Sequence, residues 1–386
     1  MPKYSIIVPA YNGMPYLKTC IESIVSQGYG DYQLIVSDDH STDGTAEYID
    51  SLSNPHIIKL HCPERKSMAE HWEWALSYAT GEWQVFVGQD DGLQSYFFKL
   101  ADTLVLTCEK KGLEVIMSER AYFFWPGCEK DFGELKLWYN ARNKVSVLDA
   151  KKELRKALYK RRIGYMDLPS MYTTSLFKKN FINRIKNMQN GRVFATHPQD
   201  ANLAALATIL QEKYLKSWIP LGWVGTSPKS AGLAISNFGN NLSKEYLRIT
   251  EESNLKMHPL TANFKFASFS VYFWGALLTI AEKQDAELYT WLTTRGCKIK
   301  VFSMAYYDVN DSNRNMFINL LRMNELTVKD LHPRKTKSLD SFYNFIDKLS
   351  FLQPHYILKL NCSDNSDGLL QLSGKIAKEI RAKNYV

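Results

Sequence analysis

The feature that most constrains the fold is an alternation, through the first 125 residues, of short apolar runs with segments of helix length. Residues 4–8, 33–37, 56–61, 83–87 and 113–117 have the length and apolar character of strands, and 16–27, 42–52, 67–79 and 96–111 between them read as helices. That rhythm marks βαβ units and predicts an α/β fold, a Rossmann-like, mostly parallel sheet flanked by helices. The second helix carries a start signal, because Ser41 or Thr42 can cap it while Asp43 and Glu47 fall near its positive end.

Past residue 125 the pattern changes. Residues 126–192 are less regular, with a helix predicted over 151–160, and a further helix over 199–216 opens behind His197-Pro198. The Gly/Ser-rich stretch 222–241 reads as a long loop, a length that in compact domains usually marks a lid or binding loop. A helical region over 243–283 follows, and the last hundred residues alternate again, with strands expected near 298–304 and 356–360 in a small C-terminal α/β unit.

Several classes are disfavoured. The opening apolar run is broken by Pro9, unlike a secretory leader. The most apolar later stretch, residues 266–281, is 16 residues long and falls short of the ~20 needed to cross a bilayer, so it reads as a buried helix. Six cysteines without a CxxC pair fit a reducing cytoplasm better than a disulfide framework or a zinc site. Neither GxGxxG nor GxxxxGK[ST] follows any strand, which speaks against dehydrogenases and P-loop enzymes.

Charge is unevenly distributed. Residues 1–100 carry 6 Lys/Arg against 13 Asp/Glu, whereas residues 141–192 carry 14 against 3. An acidic half that must hold a phosphorylated ligand calls for a cation, and a basic segment suits a phosphate-bearing acceptor or an anionic membrane face. A solvated helix face around Lys151 to Arg162 explains the basic segment equally well. A nucleic-acid partner is not expected, because that segment carries no recognisable module and the acidic half opposes one.

In open α/β sheets ligands bind beyond the carboxyl ends of the strands, and three such ends are polar here. They are Pro9-Ala10-Tyr11-Asn12-Gly13, Asp38-Asp39-His40-Ser41 and Gly88-Gln89-Asp90-Asp91-Gly92. Neighbouring side chains on a strand face opposite ways, so one of Asp38 and Asp39 is expected to contact a ligand directly. Adjacent carboxylates at Asp90 and Asp91 repel by ~1 kcal/mol in water and ~4 at an effective dielectric of 20, and a hard cation such as Mn²⁺ or Mg²⁺ would offset that. An acidic turn before a helix is the competing reading.

The strings IIVPAYNG, IVSDDHSTDGT and FVGQDDG, in this order and spacing, resemble the N-terminal domain of family 2 glycosyltransferases, which have the GT-A fold. The resemblance is strong over residues 3–125 and weak over 165–225. It implies an inverting hexosyl-type transfer from a nucleotide-diphosphate sugar, with UDP favoured, to a glycan or lipid-linked acceptor. It further implies bacterial surface polysaccharide or lipopolysaccharide assembly, in the cytoplasm with peripheral contact at the inner membrane. Pro9, Ala10, Tyr11, Asn12, Asp38, Asp39, Arg65, Gln89 and Asp90 would then hold the nucleotide, and Asp90 with Asp91 the metal. Gly88 departs from the family pattern, standing where a first carboxylate is common. His71, Trp72 and Trp74 read mainly as packing residues. On this view residues 1–225 form the GT-A domain, with a nucleotide-binding half (1–125) and an acceptor half (126–225), followed by a loop and helical extension (226–285) and the C-terminal unit (286–386).

Inverting transfer needs one general base to take the acceptor's proton. The matching string is His197-Pro198-Gln199-Asp200, with Asp200 the candidate and His197 the alternative; the helix dipole is expected to lower the pKa of Asp200. Ser227, Lys229 and Ser230 are candidate donor or acceptor contacts. A nucleotidyltransferase and a non-catalytic nucleotide-sugar binding subunit remain as alternatives.

Overall fold

The computed structural model describes residues 1–128, 136–140, 144–159, 164–196, 198–230, 257–261, 268–311, 313–333 and 355–359, with backbone only for 136–140 and 355–359. Eight strands form the main sheet: β1 (Tyr4–Ala10), β2 (Tyr32–Asp38), β3 (Ile57–His61), β4 (Trp83–Phe86), β6 (Val115–Ser118), β9 (Val145–Asp149), β10 (Ser175–Lys178) and β11 (Lys213–Ser217). Their order is β3-β2-β1-β4-β10-β6-β11-β9, with β1, β2, β3 and β4 parallel and β10 antiparallel between β4 and β6. A second sheet runs β13 (His355–Lys359), β8 (Lys136–Asn140), β7 (Ala121–Phe124), β12 (Gly222–Thr226), β5 (Gly92–Leu93).

Strand alternation divides the interior into two cores. Ile7, Ile35 and Phe86 enter one, while Ile6, Val8, Leu34, Val36 and Val85 enter the other. Both faces of the central strands are therefore covered, as a parallel sheet requires. The helices that cover them include α1 (Tyr16–Val25), α2 (Thr45–Ser51), α3 (Met68–Ser77) and α4 (Phe97–Lys110), all within the predicted segments. A Ser67/Glu70 capping box starts α3. Helix α2 begins at Thr45, later than expected, because Asp43 accepts from the Thr45 N–H and hydroxyl and from the Met14 N–H, which holds residues 41–44 in a turn.

Beyond residue 126, α5 (Ala150–Leu158) and α6 (Lys179–Met188) precede α7 (Gln199–Ile209). Helix α7 stops well before residue 216, and Lys213–Ser217 is β11 instead. Tyr214 and Leu215 enter opposite cores, which a strand permits and one helix face does not. Likewise, residues 222–226 of the expected loop are strand β12, and residues 231–241 lie outside the described residues.

The apolar stretch forms α8 (Phe269–Gln284), buried beside α7, with Trp274 fully enclosed. Among the described residues no helix is long and apolar enough to cross a membrane. After α9 (Ala286–Thr293), residues 298–304 prove helical rather than extended, within α10 (Arg295–Ala305). Thr294 caps the Cys297 N–H, and Cys297, Val301, Phe302 and Ala305 share the buried face at helical spacing. Helix α11 (Arg314–Met323) follows, and the strand expected near 356–360 is β13, paired with β8. The five described cysteines are buried and none is in a disulfide. On α5, Lys151 pairs with Asp285 and Lys156 with Glu153, both at 2.7 Å, while Leu154 and Leu158 face the core, which favours the solvated-face reading of the basic segment.

Candidate functional site

The parallel strands end together at one edge of the sheet: β1 at Ala10, β2 at Asp38 and β4 at Phe86. The three polar strand ends consequently meet, and side chains stitch them together. Gln89 brackets the Tyr11 backbone, accepting from its N–H at 2.8 Å and donating to its carbonyl at 3.1 Å. Asn12 takes a left-handed φ of 48°; its N–H donates to Ser41 Oγ at 2.8 Å and its Oδ1 accepts from the Thr42 N–H at 2.9 Å. Asn12 and Gln89 thus shape the loop, while Pro9 and Ala10 complete the strand beneath it.

Asp38 and Asp39 diverge, as the alternation of a strand demands. Asp38 accepts from the Ser41 N–H at 3.2 and 3.3 Å and closes the turn after β2. Asp39 points across the sheet edge to the Lys66 N–H at 2.9 Å and to the Arg65 guanidinium. Burial raises the pKa of Asp39 against those two favourable partners. The Arg65 guanidinium lies 4.0 Å from the centre of the Tyr11 ring, and that ring is 37% exposed. An aromatic face and a cation therefore sit together at the solvent edge, above the buried acceptor Asp39. His71, by contrast, bonds Ser37 at 2.8 Å in the interior, and Trp72 stacks on Phe86, so both are packing residues.

Asp90 and Asp91 differ sharply. Asp91 Oδ2 accepts from the Gly88 N–H at 3.1 Å and Thr173 Oγ1 at 2.6 Å; Oδ1 accepts from the Gly225 N–H at 2.7 Å; and the Tyr172 hydroxyl donates a fourth bond. Two carboxylate oxygens offer about four lone-pair positions, and these four bonds engage all of them within the fold. Asp90 Oδ2 accepts from the Ser227 hydroxyl at 2.7 Å and the Ser230 hydroxyl at 2.5 Å, groups that can rotate aside. Burial raises the pKa of both carboxyls, and the charge of Asp90 adds to the rise at Asp91, which is pushed up to about 6.

Strand β12 makes this arrangement possible. A Cβ on Gly225 would lie 1.7 Å from the Asp90 carbonyl oxygen, so only glycine lets β12 approach closely enough to donate to Asp91. Past its end, Lys229 Nζ donates to the carbonyls of Asn12 at 2.9 Å and Met14 at 3.2 Å, joining the turn at 227–230 to the loop after β1. Trp125 Nε1 donates to the Asp90 carbonyl at 2.8 Å. Sequence reading missed Tyr172, Thr173, Gly225 and Trp125; the glycine in the apolar string GWVGT was the one local signal.

Asp200 lies in the first turn of α7, where its Oδ1 accepts from the Ala201 N–H at 2.9 Å and its carboxyl bonds the Tyr165 hydroxyl. Its pKa is raised, with burial outweighing these bonds and nearby Arg120; the lowering expected from the helix dipole does not prevail. The Tyr172 phenol feels Asp91, Asp90 and Asp200 together, which places the base candidate in the neighbourhood of the acidic turn. His197 is outside the described residues.

Acidic, aromatic and basic side chains converge beyond the carboxyl ends of parallel strands, the edge at which open α/β proteins hold their ligands. Comparison with known proteins sharpens that class. Residues 5–103 match the family described as Glycosyl transferase family 2, and this part of the chain is a family 2 glycosyltransferase domain. The glycosyltransferase GlyG of Streptococcus pneumoniae is 30% identical over 115 residues, 29% of this chain and 37% of that protein. A Campylobacter jejuni protein, GalNAc(5)-diNAcBac-PP-undecaprenol beta-1,3-glucosyltransferase, is 35% identical over 98 residues, 25% of this chain and 32% of its own. These matches span well under half of the relatives' lengths. The structure of S. aureus TarS 1–349 in complex with UDP-GlcNAc superposes with a TM-score of 0.54 at 14% identity, covering 84% of both chains, and the shared fold is GT-A.

Proposed function

We propose that the chain is an inverting glycosyltransferase that moves a sugar from a nucleotide-diphosphate donor, a UDP-sugar foremost, to a hydroxyl of a glycan or lipid-linked acceptor. The observation that carries this reading is the edge-of-sheet cluster in which Tyr11, Asp39 and Arg65 meet beside Asp90. The Tyr11 face would stack on the base, and Asp39 would accept the imide N–H of uracil. Arg65 is placed to follow the base or its phosphates.

The family implies a divalent cation, and the residues fit one held lightly. Among the described residues no three His, Cys, Asp or Glu side chains converge on a common point, but Mg²⁺ or Mn²⁺ commonly binds through one carboxylate and the phosphates of its substrate. Asp90 would be that carboxylate, its serine partners turning away. When bound, the ion neutralises charge building on the diphosphate.

Asp200 would accept the proton of the acceptor hydroxyl as its oxygen bonds the anomeric carbon and the bond to the diphosphate breaks. Its raised pKa makes it a stronger base than an exposed aspartate. The TarS complex with UDP-GlcNAc and the undecaprenol-linked acceptor in the name of the C. jejuni relative support this donor and acceptor chemistry. Calorimetric titration with UDP, GDP, dTDP and CMP, each with Mn²⁺ or with chelator, tests it: UDP should bind best, and with Mn²⁺. Failure of every nucleotide to bind would sink the proposal.

A further inference from the structure

Gly88 stands where the family resemblance expects a carboxylate, and the space above it is already taken. A Cβ built on Gly88 would lie 2.3 Å from Tyr172 Oη and 2.8 Å from Asp91 Oδ2. The phenol reaches this place from β10's approach, where the backbone is unusual. Met171 and Thr173, on either side of Tyr172, have φ of 52° and 35°, a region that a β-branched residue such as Thr173 rarely enters. Phe86 fixes this turn through its N–H to the Met171 carbonyl at 3.0 Å and its carbonyl to the Thr173 N–H at 2.6 Å. Trp72 stacks on the phenol with ring centres 5.6 Å apart. The turn thereby sends two hydroxyls, Tyr172 Oη and Thr173 Oγ1, to a single carboxylate, Asp91.

We propose that Tyr172 is a positioning residue standing in for the absent carboxylate: its hydroxyl fills the space over Gly88 and fastens Asp91 into the fold, leaving Asp90 alone to meet a cation carried by the donor diphosphate. A neutral phenol in place of a charged side chain removes one negative charge from the site. The cation is then bound tightly only together with the donor's phosphates. This second consequence rests on the donor reading above, whereas the steric and hydrogen-bonding role of Tyr172 does not.

Two measurements on the full chain separate the parts. The first is a thermal-unfolding cycle of wild type, Gly88→Ala, Tyr172→Phe and the double variant. Gly88→Ala should lower Tm by about 3 °C beside tyrosine, and by less than about half as much beside phenylalanine, since removing the hydroxyl opens the space. Equal losses in the two backgrounds overturn the proposal. The second is Mn²⁺ binding with and without UDP, followed by electron paramagnetic resonance. Gly88→Asp combined with Tyr172→Phe should bind Mn²⁺ about tenfold tighter than wild type in both conditions, because it restores a second charged ligand. Unchanged or weaker binding, or a double variant that does not fold, counts against the exchange of phenol for carboxylate. If no nucleotide of the calorimetric panel binds wild type, the donor reading fails while the unfolding cycle still decides the role of Tyr172.

Discussion

Replacing Gly225 with alanine tests whether β12 is the keystone of the acidic turn. The added Cβ would meet the Asp90 carbonyl oxygen at 1.7 Å, the Asp90 carbonyl carbon at 2.7 Å and Trp125 Nε1 at 2.9 Å, none of them the end of a flexible side chain. Relief requires β12 to retreat by about 1.7 Å to reach ordinary contact distance. The Gly225 N–H would then sit about 4 Å from Asp91 Oδ1, outside hydrogen-bond range. Loss of a hydrogen bond to a charged acceptor costs about 1.5–3 kcal/mol and overpacking about 1–3, so a total near 4 kcal/mol is expected. For a chain of 386 residues that is a fall in Tm of roughly 5 °C by thermal unfolding. Gly30→Ala is the control, since no atom lies within 4 Å of a Cβ built there, and it should shift Tm by less than about 1 °C. A Gly225→Ala protein that melts within about 2 °C of wild type would refute the keystone role.

Three further outcomes are expected. Asp200→Asn should bind UDP and Mn²⁺ as wild type does while turnover drops by about 10²–10⁴-fold; near-normal turnover removes Asp200 as base. Because burial raises the Asp200 pKa and the base must be unprotonated, kcat/KM should fall as pH drops through a value above the usual carboxylate range, a limb seen in pH–rate profiles of wild type. Asp90→Ala should abolish the Mn²⁺-dependent part of UDP affinity in calorimetry, and retained dependence would shift the ligand role elsewhere. His71, whose pKa burial lowers to about 3, stays neutral in the fold while the unfolded chain protonates near 6.5. Its contribution to stability is complete above that value and is lost as pH falls, by about 2 kcal/mol at pH 5. His71→Gln should flatten the fall of Tm between pH 7 and 5, and an unchanged slope would contradict the assignment.

How far the sequence revealed this architecture follows from the range of the interactions. Strands β1 to β4 and the helices between them were legible because their apolar runs and cap residues are local. The ends of α7 and the identity of α10 were not. Residues 213–217 become a strand because β6 and β9 flank them, and Thr294 caps α10 where alternating apolar residues suggested a strand. The acidic strand ends were legible as a set, yet their division of labour was hidden. Asp90 finds Ser227 across 137 positions and Asp91 finds Thr173 across 82, contacts that no local pattern encodes. The mismatch at Gly88 was visible in the sequence, whereas its partner Tyr172 emerged only from the folded chain.

The most direct test of the central claim is product analysis with a panel of UDP-sugars and Mn²⁺, comparing wild type with Asp200→Asn. Transfer or slow hydrolysis that releases UDP from wild type and far less from the variant is the predicted result. Release of pyrophosphate, or equal UDP release from both proteins, would contradict it.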